Sequence, residues 1–394
     1  MSPTPLFDGP AEQFRVEVCR FLSDALDPAR IAGREDTTDR TGLDHAFGRA
    51  VQRAAGRRGY LGVSIPTAVG GGGHPASYAA AFHYEAAYHD APLVDTAVVL
   101  AGAPLIAFGT DAQRAALLPL MLAGEVEMCI AYTEAAAGND LSAAAVTAVR
   151  SGDGFVLHGV KALVTGADKA DFCLTVAVTD PAADLRNRMS MFIVDMRAPG
   201  VSVVARPTMG GYALWDVRFD RVELGPDALL GRVGDGWRQL ARAVEEERNG
   251  MFSLGWCQRM FDDLVTFATA QGLLDDPVAA DAIAGLWVDL QAGRRLALRL
   301  VDEDERGVRS RTAGSLAKVQ LTELAQRLAS TATELAGPAG ALEGTRFGSA
   351  AVYAAAAGRF CHEFLFRVDG PLSVGANELH RDGIAGRGLG LPRG

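Results

Sequence analysis

The order of the secondary-structure patterns along the chain is the feature that most constrains its fold. Residues from about 11 to 122 show an alanine-rich helical pattern, the next hundred or so carry short β-rich runs, and the helical pattern returns at about 236. Because no helical pattern alternates with the strands, we expect an antiparallel sheet and not a Rossmann fold. The sequence predicts an α+β fold with an N-terminal helical domain at 1–124, a middle antiparallel β-domain at 125–234 and a C-terminal helical domain at 235–394.

Two local signals support this division. Thr110 precedes an apolar helical pattern and Gln113 follows three residues later, which predicts a capping box at a helix start. In the middle block, "SGDG" separates two β-rich runs and predicts a hairpin.

Composition and charge exclude several functions. The net charge of -10 argues against nucleic-acid binding, which usually needs a basic surface. The seven histidines show no metal-ligand spacing, so we predict no metal site. The chain start lacks a signal-peptide pattern, and no window of about 18 apolar residues occurs, so we expect a cytoplasmic protein without a membrane span. The five cysteines form no CxxC pair and predict free thiols in a reducing compartment: Cys19, Cys129, Cys173, Cys257 and Cys361.

The glycine-rich stretch "SIPTAVGGGGHPAS" has two interpretations. It is a loop between helices, or it is a phosphate-binding loop. No Lys-Ser/Thr pair follows it and no GxGxxG spacing fits, which favours the loop.

The stretch "RAVEEERNGMFSLG" places three glutamates before an arginine. On one continuous helix over 240–258, Glu246 lies about 100° and Glu245 about 160° away from Glu247. A carboxylate among apolar side chains gains a raised pKa, as a general base needs. The alternative is a glutamate at the edge of the stripe, paired with a basic group or reaching solvent. The same helix would place these residues within roughly 60° of Glu247: Leu240, Val244, Met251, Leu254 and Gln258.

Several segments carry a resemblance to one family. "AYTEAAAGNDLSAAAVTAVRSGDGFVLHGVKALVTGADKADFCLTVAVTD" resembles the acyl-CoA dehydrogenases, in which a TEPGAGSD-like loop opens the β-domain and a K-x-W-I-T-N-like strand follows a hairpin. "GYLGVSIPTAVGGGG", "MGGYALWDVRFDRVELGPDALLG", "EERNGMFSLGWCQ" and "SVGANELHRDGIAGRGLGLPR" resemble further family segments, in order along nearly the whole chain.

The resemblance implies a fold and a reaction. The C-terminal domain would be a four-helix bundle, and FAD would bind non-covalently between the β-domain and the bundle of a dimer or tetramer. The reaction would be α,β-dehydrogenation of an acyl thioester, on CoA or a carrier protein: a carboxylate removes the α-proton and flavin N5 accepts the β-hydride. An electron-transfer flavoprotein or oxygen would then take the electrons.

The resemblance also assigns residues to the flavin. Thr133 would hydrogen-bond it, Thr165 would lie near the N5 edge, and Asn139 stands where the family usually has Ser near the pyrophosphate. Leu163 occupies a position at which many members stack Trp on the ring. The other flavin-binding residues implied by the family pattern are Ile130, Tyr132, Gly138 and Glu378.

The family places its catalytic base at one of two positions. The first lies in a Y-E-G-T-like motif near the C-terminus, where this chain has Val374. The second precedes an Arg in the first C-domain helix, where it has Glu247 before Arg248. We therefore predict Glu247 as the base, with Arg248 shaping the substrate site.

Departures from the family pattern leave other functions open. Gln271 stands where an Arg reaches the FAD of a neighbouring subunit, and Tyr212 replaces a frequent Arg. The alternatives are a non-catalytic partner subunit of a heteromeric acyl-CoA dehydrogenase, and a flavin-dependent monooxygenase or oxidase on the same fold. The sequence does not define the acyl chain.

Overall fold

The computed structural model describes residues 5–36, 39–93, 96–247, 250–308, 310, 312–342 and 353–392. For 96–97, 244–247 and 353–355 it describes the backbone alone. Within this part of the chain, no helix combines the length and the apolar character that crossing a membrane requires.

Helices form the N-terminal region. The capping box is confirmed: Thr110 Oγ1 accepts from the Gln113 backbone amide at 3.1 Å and Gln113 Oε1 accepts from the Thr110 amide at 2.9 Å. These two bonds satisfy amides that would otherwise be left open at the helix start. The glycine-rich stretch lies between α3 and α4. The helices are α1 (Gly9–Ala25), α2 (Pro28–Ile31), α3 (His45–Arg57), α4 (Ala76–Tyr88), α5 (Ala103–Phe108) and α6 (Asp111–Leu122), with a π-helical segment at Thr96–Gly102.

The middle region forms one sheet, with strand order β6-β7-β3-β2-β4-β5-β8 and β1 beside β4. The predicted hairpin is confirmed, since Ser151 pairs with Gly154 and Gly152 takes a positive φ of 57° in the two-residue turn. Most pairs are antiparallel as predicted, but β1 and β2 each pair in parallel with β4. The strands are β1 (Met128–Ala131), β2 (Thr147–Ser151), β3 (Gly154–Val164), β4 (Phe172–Val178), β5 (Met189–Asp195), β6 (Val201–Pro207), β7 (Ala213–Leu224) and β8 (Leu229–Leu230).

Long helices return after the sheet, and the four longest segments pack as a bundle. The continuous helix assumed over 240–258 is wrong, because α7 ends at Glu247 and α8 begins at Met251 after Gly250, whose φ is 73°. A left-handed residue cannot continue a right-handed helix. The helices are α7 (Gly236–Glu247), α8 (Met251–Ala270), α9 (Pro277–Glu305), α10 (Ala313–Leu335), α11 (Tyr353–Phe366) and α12 (Asn377–Gly383).

Two buried clusters join the three regions. One contains Leu22 of α1 together with Leu174 and Met191 of the sheet, so the N-terminal helices cover one face of the sheet. The other contains Tyr84 of α4 and Leu254 of α8, so the same helices also pack on the bundle. The N-terminal region therefore shares its core with both other regions.

Candidate functional site

A buried ion pair fixes the loop that follows β1. Glu134 accepts from the backbone amides of Ala145 at 2.7 Å and Val146 at 3.1 Å, and from Lys161 Nζ of β3 at 2.7 Å. Lys161 also donates to the Tyr132 carbonyl at 3.1 Å, and its side chain has no exposed surface. Burial lowers the pKa of Lys161, and the Glu134 carboxylate opposes that effect. Lys161 therefore holds the start of the loop against β3, and Glu134 ties that start to the loop's other end at Ala145 and Val146.

The end of β3 presents an exposed apolar side chain beside this loop. The Ala162 amide donates to the Thr133 carbonyl at 2.8 Å, which places Thr133 next to Leu163. The pairing of β3 with β7 shifts register between Lys161 and Val164, and Leu163 takes a φ of 57° within that bulge. Leu163 is 57% exposed, because a bulge turns a side chain away from the regular alternation of the strand.

The segment before α12 closes on the same loop. Asn139 Oδ1 accepts from the Ala376 amide at 3.2 Å. Lys318 Nζ of α10 donates to the carbonyls of Pro371 at 3.1 Å and Gly375 at 2.8 Å, and to Asn377 Oδ1 at 2.7 Å. These bonds anchor the segment that carries Val374 on the bundle.

The three regions meet at an arginine from the N-terminal region. Arg40 Nη2 donates to Asp369 Oδ2 at 3.1 Å, and the Tyr212 hydroxyl donates to the same oxygen at 3.2 Å. The Arg40 guanidinium lies 5.5 Å from the Tyr212 ring centre and 5.6 Å from that of Phe366. Its Nη1 lies 3.5 Å from Thr165 Oγ1, just beyond β3. Arg40 thus supplies a guanidinium beside Tyr212, the position at which many family members carry an Arg.

Aromatic side chains line the start of α8. His83 of α4 stacks on Phe252 with ring centres 4.6 Å apart, and Arg367 lies 4.6 Å from the Trp256 ring centre. Burial lowers the pKa of His83 to about 4, so its imidazole is neutral at pH 7.

The structure brings most of the residues predicted at the flavin to one edge of the sheet. Thr133, Leu163 and Thr165 lie there, and Asn139 joins them to the segment before α12. Ile130 is half-buried in β1 opposite Leu174, and Tyr132 is half-buried just after that strand.

Gly138 and Glu378 are exposed, on the loop and in the first turn of α12. Gln271 is exposed at the C-terminal end of α8. The predicted base and the predicted substrate-binding residue are not placed: the side chain of Glu247, and the whole of Arg248, lie outside the described residues.

Sequence reasoning missed the residues that hold this site together: Glu134, Lys161, Arg40, Lys318 and Asp369. Glu134 and Lys161 stand inside the segments that carry the resemblance, so their charges could have drawn attention. Nothing in the sequence pairs two residues 27 positions apart. Arg40 and Asp369 lie outside any recognised pattern and are 329 positions apart.

Two helical regions flanking one sheet, and meeting at one edge of it, define a three-domain α+β protein. Models of the N-terminal, middle and C-terminal domains of acyl-CoA dehydrogenases match residues 10–125, 129–222 and 234–358. The chain belongs to the acyl-CoA dehydrogenase family and is an acyl-CoA dehydrogenase-like oxidoreductase. Members of this family are typically FAD-dependent.

The relatives match from two thirds to nearly all of the chain. The acyl-CoA dehydrogenase FadE29 of Mycobacterium tuberculosis is 33% identical over 264 residues, which cover 66% of this chain and 66% of that protein. The acyl-CoA dehydrogenase IpdE1 of the same organism is 29% identical over 394 residues and covers 97% of this chain and 98% of its own length. Among solved structures, the ChsE4-ChsE5 complex from Mycobacterium tuberculosis matches with a TM-score of 0.86 and 25% identity, over 100% of both chains.

Proposed function

We propose that this protein catalyses FAD-dependent α,β-dehydrogenation of an acyl thioester, bound to CoA or to a carrier protein, with Glu247 as the base. The observation that carries the proposal is the Glu134–Lys161 pair at 2.7 Å, which fixes the loop after β1 beside Leu163 and Thr165. A flavin ring needs such a rigid apolar edge for its orientation, since the protein's task is to position the cofactor.

The residues at this edge suit a flavin. A Cβ added at Gly138 would meet nothing within 4 Å, so space for a bound group is open beside the backbone there. Leu163 offers an exposed apolar surface, and the Thr133 and Thr165 hydroxyls can donate to ring heteroatoms. Ile130 and Tyr132 would line the strand side, while Asn139 and Glu378 would face the polar part of the cofactor. When bound, FAD supplies the acceptor for the hydride.

Glu247 is proposed as the group that takes the α-proton. Its position before Arg248 matches one of the two positions at which the family places the base. Arg248 would help to position the substrate.

An anaerobic titration with acyl thioesters tests this assignment. Substrate should bleach the flavin absorbance of the purified protein, and Glu247→Gln should slow that reduction by about 10²–10⁴-fold, the usual contribution of a general base. Glu246→Gln is the matched control, one residue away on the same helix and rotated by about 100°. It should reduce at the wild-type rate.

Two results would count against the proposal. If Glu247→Gln reduces the flavin at the wild-type rate, Glu247 does not take the proton. If no thioester in the panel bleaches the flavin, the protein does not catalyse the proposed reaction.

A second candidate is a role as one subunit of a heteromeric dehydrogenase. Acyl-CoA dehydrogenases form hetero-complexes, and the ChsE4-ChsE5 complex is one of them. Gln271, exposed at the end of α8, stands where the family has an Arg that reaches a neighbour's FAD. This candidate would be favoured if the protein purifies with less than one FAD per chain. Full flavin content, and bleaching of the flavin by thioesters, would then return only when a partner chain is added.

Three further assignments belong to the same proposal. The domains are divided at 1–124, 125–234 and 235–394. The enzyme works in the cytoplasm as a homo- or hetero-oligomer. An electron-transfer flavoprotein or oxygen accepts its electrons.

A further inference from the structure

Three potential metal ligands converge between α1 and α4, in the N-terminal region. Cys19 lies on α1, Glu85 on α4, and His89 directly follows α4, one helical turn after Glu85. The Cys19 sulfur, a Glu85 carboxylate oxygen and a His89 ring nitrogen all lie within 4.8 Å of one another. The sequence did not indicate this cluster, because its ligands come from two helices that are far apart along the chain.

The geometry of the carboxylate and the imidazole fits a common ion. Glu85 Oε2 and His89 Nε2 are 3.3 Å apart, yet among the described residues neither atom has a hydrogen-bond partner. Two ligand atoms that are each about 2.0–2.1 Å from a tetrahedral zinc stand about 3.3–3.4 Å apart. Glu85 is 1% exposed, and a buried carboxylate oxygen that accepts no hydrogen bond is costly. A cation between the two atoms would satisfy both.

The surroundings orient these ligands and balance their charge. Arg15 Nη1 donates to Glu85 Oε1, which leaves Oε2 turned toward Cys19 and His89. Glu12 in turn accepts from Arg15 Nη2 at 2.6 Å. With Cys19 as a thiolate, the three negative groups of Cys19, Glu85 and Glu12 are balanced by Arg15 and one divalent cation.

We propose that Cys19, Glu85 and His89 bind one Zn²⁺, with water as the fourth ligand. A mixed sulfur, nitrogen and oxygen set suits zinc, whereas Mg²⁺ and Ca²⁺ prefer oxygen alone. Burial and the Glu85 carboxylate raise the pKa of the Cys19 thiol, so the thiol keeps its proton until zinc binding displaces it. The His89 side chain is 14% exposed and gives the ion a route from solvent. The ion would clamp α1 onto α4.

Zinc binding to the full-length flavoprotein tests the site. After treatment with a chelator and desalting, the protein is dialysed against Zn²⁺ and the bound metal is measured per chain. The wild type should take up one Zn²⁺ and unfold at a higher temperature with it. Cys19→Ser and His89→Gln should weaken binding by about 100-fold or more. Cys361→Ser and His74→Gln, which change the same residue types elsewhere, should bind as the wild type does.

Cobalt provides a readout independent of stability. Co²⁺ in the wild type should give the intense visible bands of a tetrahedral site and a thiolate charge-transfer band, both lost in Cys19→Ser. Flavin content shows that each variant is folded. The proposal is overturned if the wild type binds no stoichiometric Zn²⁺, or if folded Cys19→Ser and His89→Gln bind it with wild-type affinity.

Discussion

Leu163 and Val374 take positive φ angles of 57° and 56°, although neither is glycine. Such a conformation costs about 1–3 kcal/mol, so the surrounding contacts must hold it in place. The bulge of β3 holds Leu163, and the bonds from Lys318 to the carbonyls of Pro371 and Gly375 hold the segment around Val374. Both residues occupy positions to which the family assigns a flavin-stacking or catalytic group. The strain therefore lies where we propose that the cofactor binds.

Lys161 gives a prediction at this scale. Replacing it in Lys161→Met leaves the Glu134 carboxylate buried without its cation, and losing one partner of a buried pair costs about 3–5 kcal/mol. The loop after β1 should become less ordered, so the variant should purify with less FAD and unfold at a lower denaturant concentration. Flavin absorbance per chain and urea unfolding measure the two effects.

A second substitution separates the ion pair from simple loss of packing. Adding Glu134→Gln to Lys161→Met removes the unpaired charge. The loss of unfolding free energy in the double variant should therefore be smaller than the sum of the losses in the two single variants. Additive losses, or normal flavin content in Lys161→Met, would contradict the role given to this pair.

The sequence indicated which residues lie at the candidate site, but it did not indicate the contacts between them. The family pattern indicated Thr133, Asn139, Leu163 and Thr165, and the structure gathers them at one edge. The pairing of Lys161 with Glu134 depends on how β3 lies against the loop, which periodicity does not encode.

At the scale of elements, local signals were reliable and long-range geometry was not. The capping box of α6 and the β2–β3 hairpin involve neighbouring residues, and both were predicted correctly. The parallel pairing of β1 with β4 was missed, because it joins strands more than 30 residues apart. The helix over 240–258 was wrong because the apolar periodicity continues through the turn at Gly250, while the backbone does not.

The contact between α4 and α8 gives a prediction at the element scale. A Cβ added at Gly255 would lie 2.4 Å from the Tyr84 carbonyl oxygen and 2.8 Å from Ala87 Cβ, so these helices approach too closely for any side chain. Gly255→Ala should therefore push α8 away from α4 and destabilise the fold by about 1–3 kcal/mol. Chemical denaturation measures this loss.

The matched control makes the same chemical change in open space. Gly285 is exposed within α9, and an added Cβ would meet nothing within 4 Å. Gly285→Ala should stabilise the protein by up to about 1 kcal/mol, because alanine favours a helix over glycine. If both variants shifted stability in the same direction, the steric argument at Gly255 would be wrong.

At the scale of the molecule, the order of helical and strand regions was predicted from the sequence, but their joint packing was not. An α–β–α order is compatible with three independent domains. The structure instead shares one core between the N-terminal helices and the sheet, and another between those helices and the bundle. This follows from which apolar faces meet, and those faces lie on elements distant in sequence.

A buried charge network crosses the boundary between the N-terminal region and the bundle. Arg359 Nη2 of α11 donates to Asp90 Oδ2 at 2.7 Å, and its Nε lies 3.0 Å from Asp263 Oδ2 of α8. Asp90, just beyond α4, is 5% exposed and has a φ of 49°. Burial alone would lower the pKa of Arg359, but the Asp263 and Asp90 carboxylates outweigh it and raise that pKa. Arg359 therefore stays charged and links the two regions.

Arg359→Met should consequently uncouple regions that otherwise unfold together. It leaves Asp90 buried without its cation, and we expect a loss of about 3–5 kcal/mol. Arg299→Met, which breaks the half-exposed pair with Glu303 within α9, should cost no more than about 0.5 kcal/mol. Urea unfolding, followed by far-ultraviolet circular dichroism and by flavin release, measures both. In the wild type the two signals should change together, whereas in Arg359→Met they should separate. Coincident transitions in Arg359→Met, at the wild-type midpoint, would show that the shared apolar cores join the regions without this arginine.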